Sequence, residues 1–568
     1  MFLEVTLSKA GDPELQTLAG LREDLAIKYA FCGVNERVRR KNLRQRRQWA
    51  PRSLQDRSPH HTILAAQFVS QFTHSCQSKR LRSFKTLPEK GFRLLRLKAL
   101  RKMIGLLSSA RACRDNNDPP PLNHIYHLCF MPDRHQRSPT GVHSNADRSS
   151  LHHRLLSGSV TSDVYLCPPD AKIEDEMDSL GLYLSIPFCK SKCTYCNFAS
   201  GVFPVAYFEQ YIARLEQDLS SIRNQAERWS AVLPEVTDTI YLGGGTPSLL
   251  PPHLIQRLFF AIRREFVTLP NAEITIECAP GQLDDPTLAA MVECGVNRIS
   301  FGVQSFIDSE AKHTGRLHTR EIALRDIERV RHSGIARVNV DLIAGLPGQT
   351  RDSWRESLAV LADTDIDHAS IYMLEVDDDS RLGREVASGG LKYYAPQVPP
   401  DEAIVDMYSE AVDFLTAHGL VQYEISNFAR QGRESIHNLK YWQRKPYLGL
   451  GLDAHSMLRT RSGRALRFAT TDELEPFLAS PRWDNPHPLS RKEELEEAWF
   501  LGLRLNEGVN LRDLHAEFGP VANSFEPILT DLECDGLITW TGSRVALTPR
   551  GRLVSNEVFE PFVCLTAA

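Results

Sequence analysis

From residue 180 onward the hydrophobic positions fall into a repeating rhythm of strand and helix. Six short apolar runs read as strands: LGLYLSI, DTIYLGG, EITIEC, NRISFGV, RVNVDLIAG and ASIYMLE. After the first run, Phe208, Tyr211, Ile212, Leu215, Leu219 and Ile222 recur at helical spacing and form one apolar face. Pro187 closes the first strand. Strands alternating with helical stretches predict a parallel sheet with right-handed crossovers, an α/β fold. In barrels of this kind ligands collect at the C-terminal strand ends.

The two flanks break the rhythm. Residues 493–506 read as an amphipathic helix, and EPILTDLECDGLITWTGSRVALTPRGRLVSNEVF reads as helix, two strands turning at Gly542, and a last helix. That order resembles a winged-helix module. Its charge argues against DNA: residues 491–568 hold 7 Lys and Arg against 13 Asp and Glu. The module is therefore expected to pack on the barrel and cover its open side or the substrate site. Residues 1–176 lack sustained periodicity. They hold 29 Lys and Arg against 17 Asp and Glu, a net of +12, whereas the rest holds 38 against 54, a net of −16. Runs such as RVRRKNLRQRRQ could neutralise phosphates, but a nucleic-acid arm is not the preferred reading. The segment is expected to lack a fold of its own or to be upstream sequence wrongly assigned, with Met177 as the start of a 392-residue protein. Twelve cysteines without a secretory signal form no evident disulfide framework and suggest a reducing cytoplasm. No apolar run approaches the roughly 20 residues that span a bilayer.

The strand ends carry the chemistry. CKSKCTYC places Cys189, Cys193 and Cys196 in C-x3-C-x2-C spacing just after the first strand. Structural zinc wants four ligands and ordinary iron–sulfur clusters want four cysteines, so three thiolates leave one metal position open. An open position is where a metal site holds an exchangeable ligand. Gly243, Gly244, Gly245 and Thr246 end the second strand, either as a tight turn or as a close backbone approach to a ligand. Glu277 ends the third strand, Gln304 the fourth, and Asp341 lies in the fifth. Any one of them could be a structural cap or ion pair. Together they predict one polar pocket.

The C-x3-C-x2-C motif resembles that of the radical S-adenosylmethionine (SAM) family. There three cysteines hold a [4Fe–4S] cluster, and SAM fills the open iron. More specifically, YLSIPFCKSKCTYCNF, YLGGGTPSLL, ITIECAPGQL, ISFGVQSF, TGRLH, VNVDLIAGLPGQT, SIYMLE and HNLKYW resemble the anaerobic coproporphyrinogen oxidase family, in family order, over about residues 177–568. The resemblance implies a partial (β/α)6 barrel over residues 177–410 and a C-terminal α+β, winged-helix-like domain over 411–568. It implies Tyr183 as a catalytic-site residue beside the cluster. It implies Gly244, Thr246, Glu277, Gln304, Arg316 and Asp341 as SAM contacts.

One position divides that family. The oxidases carry a further cysteine two residues after the third, whereas this chain has Phe198, the mark of the heme-chaperone (HemW) branch. HNLKYW also resembles that branch, where its histidine, here His437, is a suspected heme ligand. A packed histidine with aromatic neighbours is the other reading, and His455 is a second candidate. Ser185 stands where the family usually has histidine. The expected function is therefore a heme chaperone in porphyrin metabolism that binds SAM and heme and passes heme to an unidentified acceptor protein. An electron donor for the cluster is a further expected partner. The alternative is an oxygen-independent coproporphyrinogen III oxidase, whose SAM-derived radical abstracts hydrogen from a propionate side chain.

Overall fold

A computed structural model of the chain describes residues 179–480 and 483–564. The basic segment 1–176 and Met177 lie outside the described residues.

The first strand, β1 (Leu180–Ile186), sets the pattern. Leu180, Leu182, Leu184 and Ile186 share a core with Tyr211, Ile212, Leu215 and Leu219 of helix α1 (Ala206–Arg228). The alternate positions Gly181, Tyr183 and Ser185 face the inside of the barrel, as the period of two requires. Burying the α1 face contributes on the order of 10 kcal/mol, at about 1.5–3 kcal/mol per large apolar side chain. The strand–helix alternation continues through β2 (Val236–Gly244), α2 (Pro252–Glu265), β3 (Val267–Cys278), α3 (Asp285–Glu293) and β4 (Arg298–Gln304). It is completed by α4 (Arg320–His332), β5 (Arg337–Ala344), α5 (Arg351–Asp363) and β6 (His368–Met373). All six strands pair in parallel, in sequence order. The six apolar runs are thus the six barrel strands. The third is longer than expected, because Val267 and Thr268 also pair with Val236 and Thr237 before the ladder shifts register.

After α6 (Arg381–Ser388) and α7 (Asp401–Ala417) the sheet is extended at both edges. β7 (Val421–Gln422) and β8 (Asn427–Ala429) add antiparallel beyond β6. Helix α8 (Ile436–Trp442) then carries the chain back to the other edge. There β9 (Tyr447–Gly451) pairs in parallel with β1, followed by the antiparallel strands β10 (His455–Thr460), β11 (Ala465–Thr470) and β12 (Trp483–Pro488). The path through the sheet is β12-β11-β10-β9-β1-β2-β3-β4-β5-β6-β8-β7. β1 is therefore flanked by β9 and β2, and β6 by β5 and β8: the barrel is open.

Helix α9 (Arg491–Gly502) opens with a capping box between Ser490 and Glu493. It leads into β13 (Val509–Asn510), α10 (Leu511–Phe518), α11 (Glu526–Cys534), β14 (Ile538–Thr541), β15 (Arg544–Leu547), α12 (Pro549–Leu553) and α13 (Ser555–Cys564). β13, β15 and β14 form a separate three-stranded antiparallel sheet, and Gly542 makes its turn at φ +61°. Trp499, Phe525 and Phe562 stack in a second core that also takes in Trp442 of α8. Among the described residues no helix is long and apolar enough to cross a membrane.

Candidate functional site

A cavity of about 570 Å³ opens at the C-terminal ends of the barrel strands, lined by all three motif cysteines and by residues of the C-terminal region. The cysteine loop is fixed by its own backbone and by its neighbours. The Cys189 amide donates to the Gly201 carbonyl at 2.8 Å, and the Gly201 amide to that of Pro187 at 2.9 Å. The Lys192 ammonium donates to the carbonyls of Phe198 and Ser200, 2.9 and 2.7 Å away. From the other side, Leu382 N–H donates to the Thr194 carbonyl, and Asn197 Nδ2 donates to Asp377 Oδ2 at 2.8 Å. The loop is thereby clamped between β1 and α6.

The residues present fit an iron–sulfur cluster. Cys189, Cys193 and Cys196 are half-buried and free of disulfides. They line one cavity, and three thiols on one cavity suit a polynuclear cluster. Burial pushes the thiols of Cys189 and Cys196 up, so metal ligation there would release protons.

The glycine turn after β2 is needed at this point of the barrel. Gly244 has φ +100°, and a Cβ on Gly245 would lie 2.7 Å from the Phe188 carbonyl oxygen. Thr246 follows, with its hydroxyl 4.0 Å from the Cys189 sulfur. Glu277 accepts from the Tyr241 hydroxyl at 2.9 Å. Burial, reinforced by Asp341, pushes the Glu277 carboxyl up to about 7. Asp341 accepts from Asn339 Nδ2 at 2.7 Å, and burial raises its pKa as well.

Two buried polar atoms in this wall have no partner among the described residues. Gln304 ends β4 in a left-handed conformation, φ +71°, with its Oε1 unpaired. Arg316 crosses Gly302, where a Cβ would approach Nη2 to 2.9 Å, and reaches the Tyr195 hydroxyl at 3.3 Å; its Nε is unpaired. Strain and unsatisfied groups together are the mark of a site awaiting a ligand. Gly244, Thr246, Glu277, Gln304, Arg316 and Asp341 all line the cavity. An acceptor amide, a guanidinium and two carboxylates on one wall suit a zwitterionic ligand bearing hydroxyls, which is the chemistry of SAM.

Three candidates lie elsewhere. Tyr183 is not among the cavity-lining residues. Its ring packs inside the barrel, with centroids 6.1 Å from Tyr241 and 6.3 Å from His437. Its pKa is pushed up by burial and then by the Glu277 charge. His437 is 1% exposed. Its Nδ1 meets the Thr239 hydroxyl at 2.8 Å and its Nε2 the Tyr441 hydroxyl at 2.8 Å. Burial holds its pKa down to about 3. In this structure the imidazole is neutral and both its nitrogens are engaged. His455 is half-buried beside Asp453 and also stands off the cavity. Ser185 is buried on the inner face of β1, next to the glycine turn.

Tyr195, Asp377, Glu424, Arg504 and Arg552 line the cavity without having been singled out in the sequence. Tyr195 sits inside the cysteine motif and was legible there. The others come from four separate segments, and nothing in their local pattern announces a shared cavity.

Comparison with known proteins agrees with this arrangement. The radical SAM superfamily matches residues 183–361, and the HemN C-terminal domain matches residues 489–554. The chain is 33% identical to the heme chaperone HemW of Bacillus subtilis over 387 residues, 67% of this chain and 98% of that protein. It is 30% identical to the heme chaperone HemW of Escherichia coli, covering 68% and 99%. A mouse relative, radical S-adenosyl methionine domain-containing protein 1, mitochondrial, is 34% identical over 61% of this chain and 76% of its own length. Among solved structures, coproporphyrinogen III oxidase (HemN) from Escherichia coli superposes with a TM-score of 0.60 at 23% identity, covering 68% of this chain and 91% of that one, which is a likeness of fold.

Proposed function

The chain belongs to the HemW family of radical SAM proteins, and on that footing we propose that it is a heme chaperone: it binds heme and delivers it to an acceptor protein. The observation that carries this reading is Phe198. It is 55% exposed at the mouth of the cavity, two residues past Cys196, where the oxidases have a further thiol. An exposed aromatic ring there offers apolar surface to a porphyrin or to an acceptor, and no redox chemistry.

Cys189, Cys193 and Cys196 would hold a [4Fe–4S] cluster, and bound SAM would complete its open iron and supply one-electron chemistry. Arg316 and Gln304 would hold the SAM carboxylate and amino group. Glu277 and Asp341 would take the ribose hydroxyls and the ligand's positive charge. Lys192, Asn197 and the 375–382 segment would keep the cysteine loop closed against water. We read residues 177–410 as the SAM-binding core, 411–568 as the C-terminal domain, 1–176 as dispensable, and the cytoplasm as the compartment. The acceptor protein and an electron donor are the proposed partners.

The test is an anaerobic assay of purified, cluster-loaded protein. It should bind SAM and heme but leave coproporphyrinogen unchanged when given SAM and a reductant. Sustained conversion to the divinyl product would replace the chaperone reading with the oxidase.

A further inference from the structure

The part of the cavity formed with the C-terminal region has the lining of a site for a flat apolar acid. Ile371 and Met373 of β6, Ile425 between β7 and β8, and Trp442 at the end of α8 give it an apolar panel. Two arginines stand beside the panel, Arg504 just after α9 and Arg552 in α12. Arg504 is 7% exposed and lies over Trp442, its guanidinium carbon 4.3 Å from the ring centroid. Arg552 is half-buried and donates from Nη1 to the Leu547 carbonyl at 3.1 Å. Both guanidinium groups act on the same phenol, that of Tyr408, which donates to the Ile425 carbonyl. Both arginines line the same cavity as Tyr408 and Ile425.

Acidic side chains line the cavity too, Glu375 and Asp377 after β6 among them. Glu424 is buried, accepts from Asn427 and faces Arg504; Glu557 is exposed at the rim. Desolvating a second cation is costly unless an anion joins it. Arg316, assigned above to SAM, comes from the barrel and stands apart from this pair in the fold.

We propose that Arg504 and Arg552 receive the carboxylate side chains of a porphyrin whose ring lies on the apolar panel. Planar guanidinium forks match carboxylates in geometry, and the Trp442 face supports both Arg504 and a flat ring. This assignment rests on the heme reading and adds to it the part of heme that is recognised.

The experiment compares heme with heme dimethyl ester, whose carboxylates are masked, by Soret difference and tryptophan-quenching titrations of the cluster-loaded protein. The ester should bind at least about tenfold more weakly than heme, the effect of losing one charge-assisted hydrogen bond or more. Arg504→Gln and Arg552→Gln should each weaken heme binding, and the double variant should bind heme and ester alike, with SAM binding retained as the control for folding. Equal binding of heme and ester by the unaltered protein overturns the assignment while leaving the chaperone reading intact. Binding of neither porphyrin removes the chaperone reading, and the assignment falls with it.

Discussion

His437 and Tyr441, one turn apart on α8, are joined by a hydrogen bond of 2.8 Å between Nε2 and the phenol oxygen. The imidazole is buried and the phenol lines the cavity. His437 is further anchored through Nδ1 to Thr239 of β2, and through its amide to Glu273 at 3.0 Å. The histidine of the HNLKYW motif thus fixes how α8 sits on the barrel, and with it the cavity wall that Tyr441 and Trp442 present.

His437→Ala should act on stability more than on iron ligation. It strands the buried hydroxyl of Thr239, at about 1–3 kcal/mol, removes the bond to Tyr441 and leaves a cavity. Denaturant unfolding should show a loss of about 2–4 kcal/mol. The heme absorption maximum and the electron paramagnetic resonance spectrum should stay where they are. A shifted heme spectrum with unchanged stability would restore the imidazole as an iron ligand.

Acid should weaken the fold through this same residue. Its folded pKa of about 3 lies below the ordinary histidine value, so between about 6.5 and 3 the unfolded chain binds the extra proton. The contribution of neutral His437 is present above that window and shrinks as the pH falls through it, by up to about 1.4 kcal/mol per pH unit. His437→Gln, which titrates nowhere in this range, should show a shallower loss than the unaltered protein in a pH series of unfolding curves.

Glu277 should make SAM binding pH-dependent with the opposite midpoint logic. Its empty-site pKa of about 7 is above the ordinary carboxylate value, so a proton competes with the ligand at neutral pH. SAM affinity should fall below pH 7, by up to about tenfold per pH unit, and level off above about 8. In the unliganded protein the stabilising effect of this proton is full below the ordinary value and is lost as pH rises through about 7. Calorimetric titration of Glu277→Gln at pH 6 and 8 should give equal, weaker affinities; a retained pH dependence would assign the effect to another group.

Replacing Cys189, Cys193 and Cys196 by alanine should abolish the cluster. Anaerobic reconstitution of the unaltered chain should give about four irons per chain, and any single replacement should remove most of them. Iron and sulfide contents unaffected by the triple change would rule out this site.

Truncation to Met177 should leave iron content, SAM binding and heme binding unchanged. Residues 1–176 lack the apolar periodicity that offsets the roughly 1–2 kcal/mol per residue of backbone ordering. Insoluble or cluster-free protein after truncation would make the segment part of the fold.

The sequence by itself determined the parts whose physics is local. Six apolar runs with helical stretches between them specify a parallel sheet, because each side chain's burial follows from its own place in a period of two or 3.6. Cys189, Cys193 and Cys196 lie within eight residues, so their spacing alone announces a shared metal. Glu277 and Gln304 were legible because strand ends in such a sheet share one rim, and Arg316 only through the family motif.

Tertiary structure alone decided the rest. β9 pairs with β1 across more than 260 residues of chain, as in Gly181 opposite Tyr447, and no local period encodes that partnership. The surroundings of His437 depend on Thr239, 198 residues earlier in sequence, which with Tyr441 encloses the imidazole in the wall. Trp442, Glu424, Arg504 and Arg552 become one wall only when α8, the β7–β8 turn and the C-terminal helices pack against the barrel. Long-range packing sets which side of a helix meets a cavity, and it depends on shapes that no short window of sequence contains.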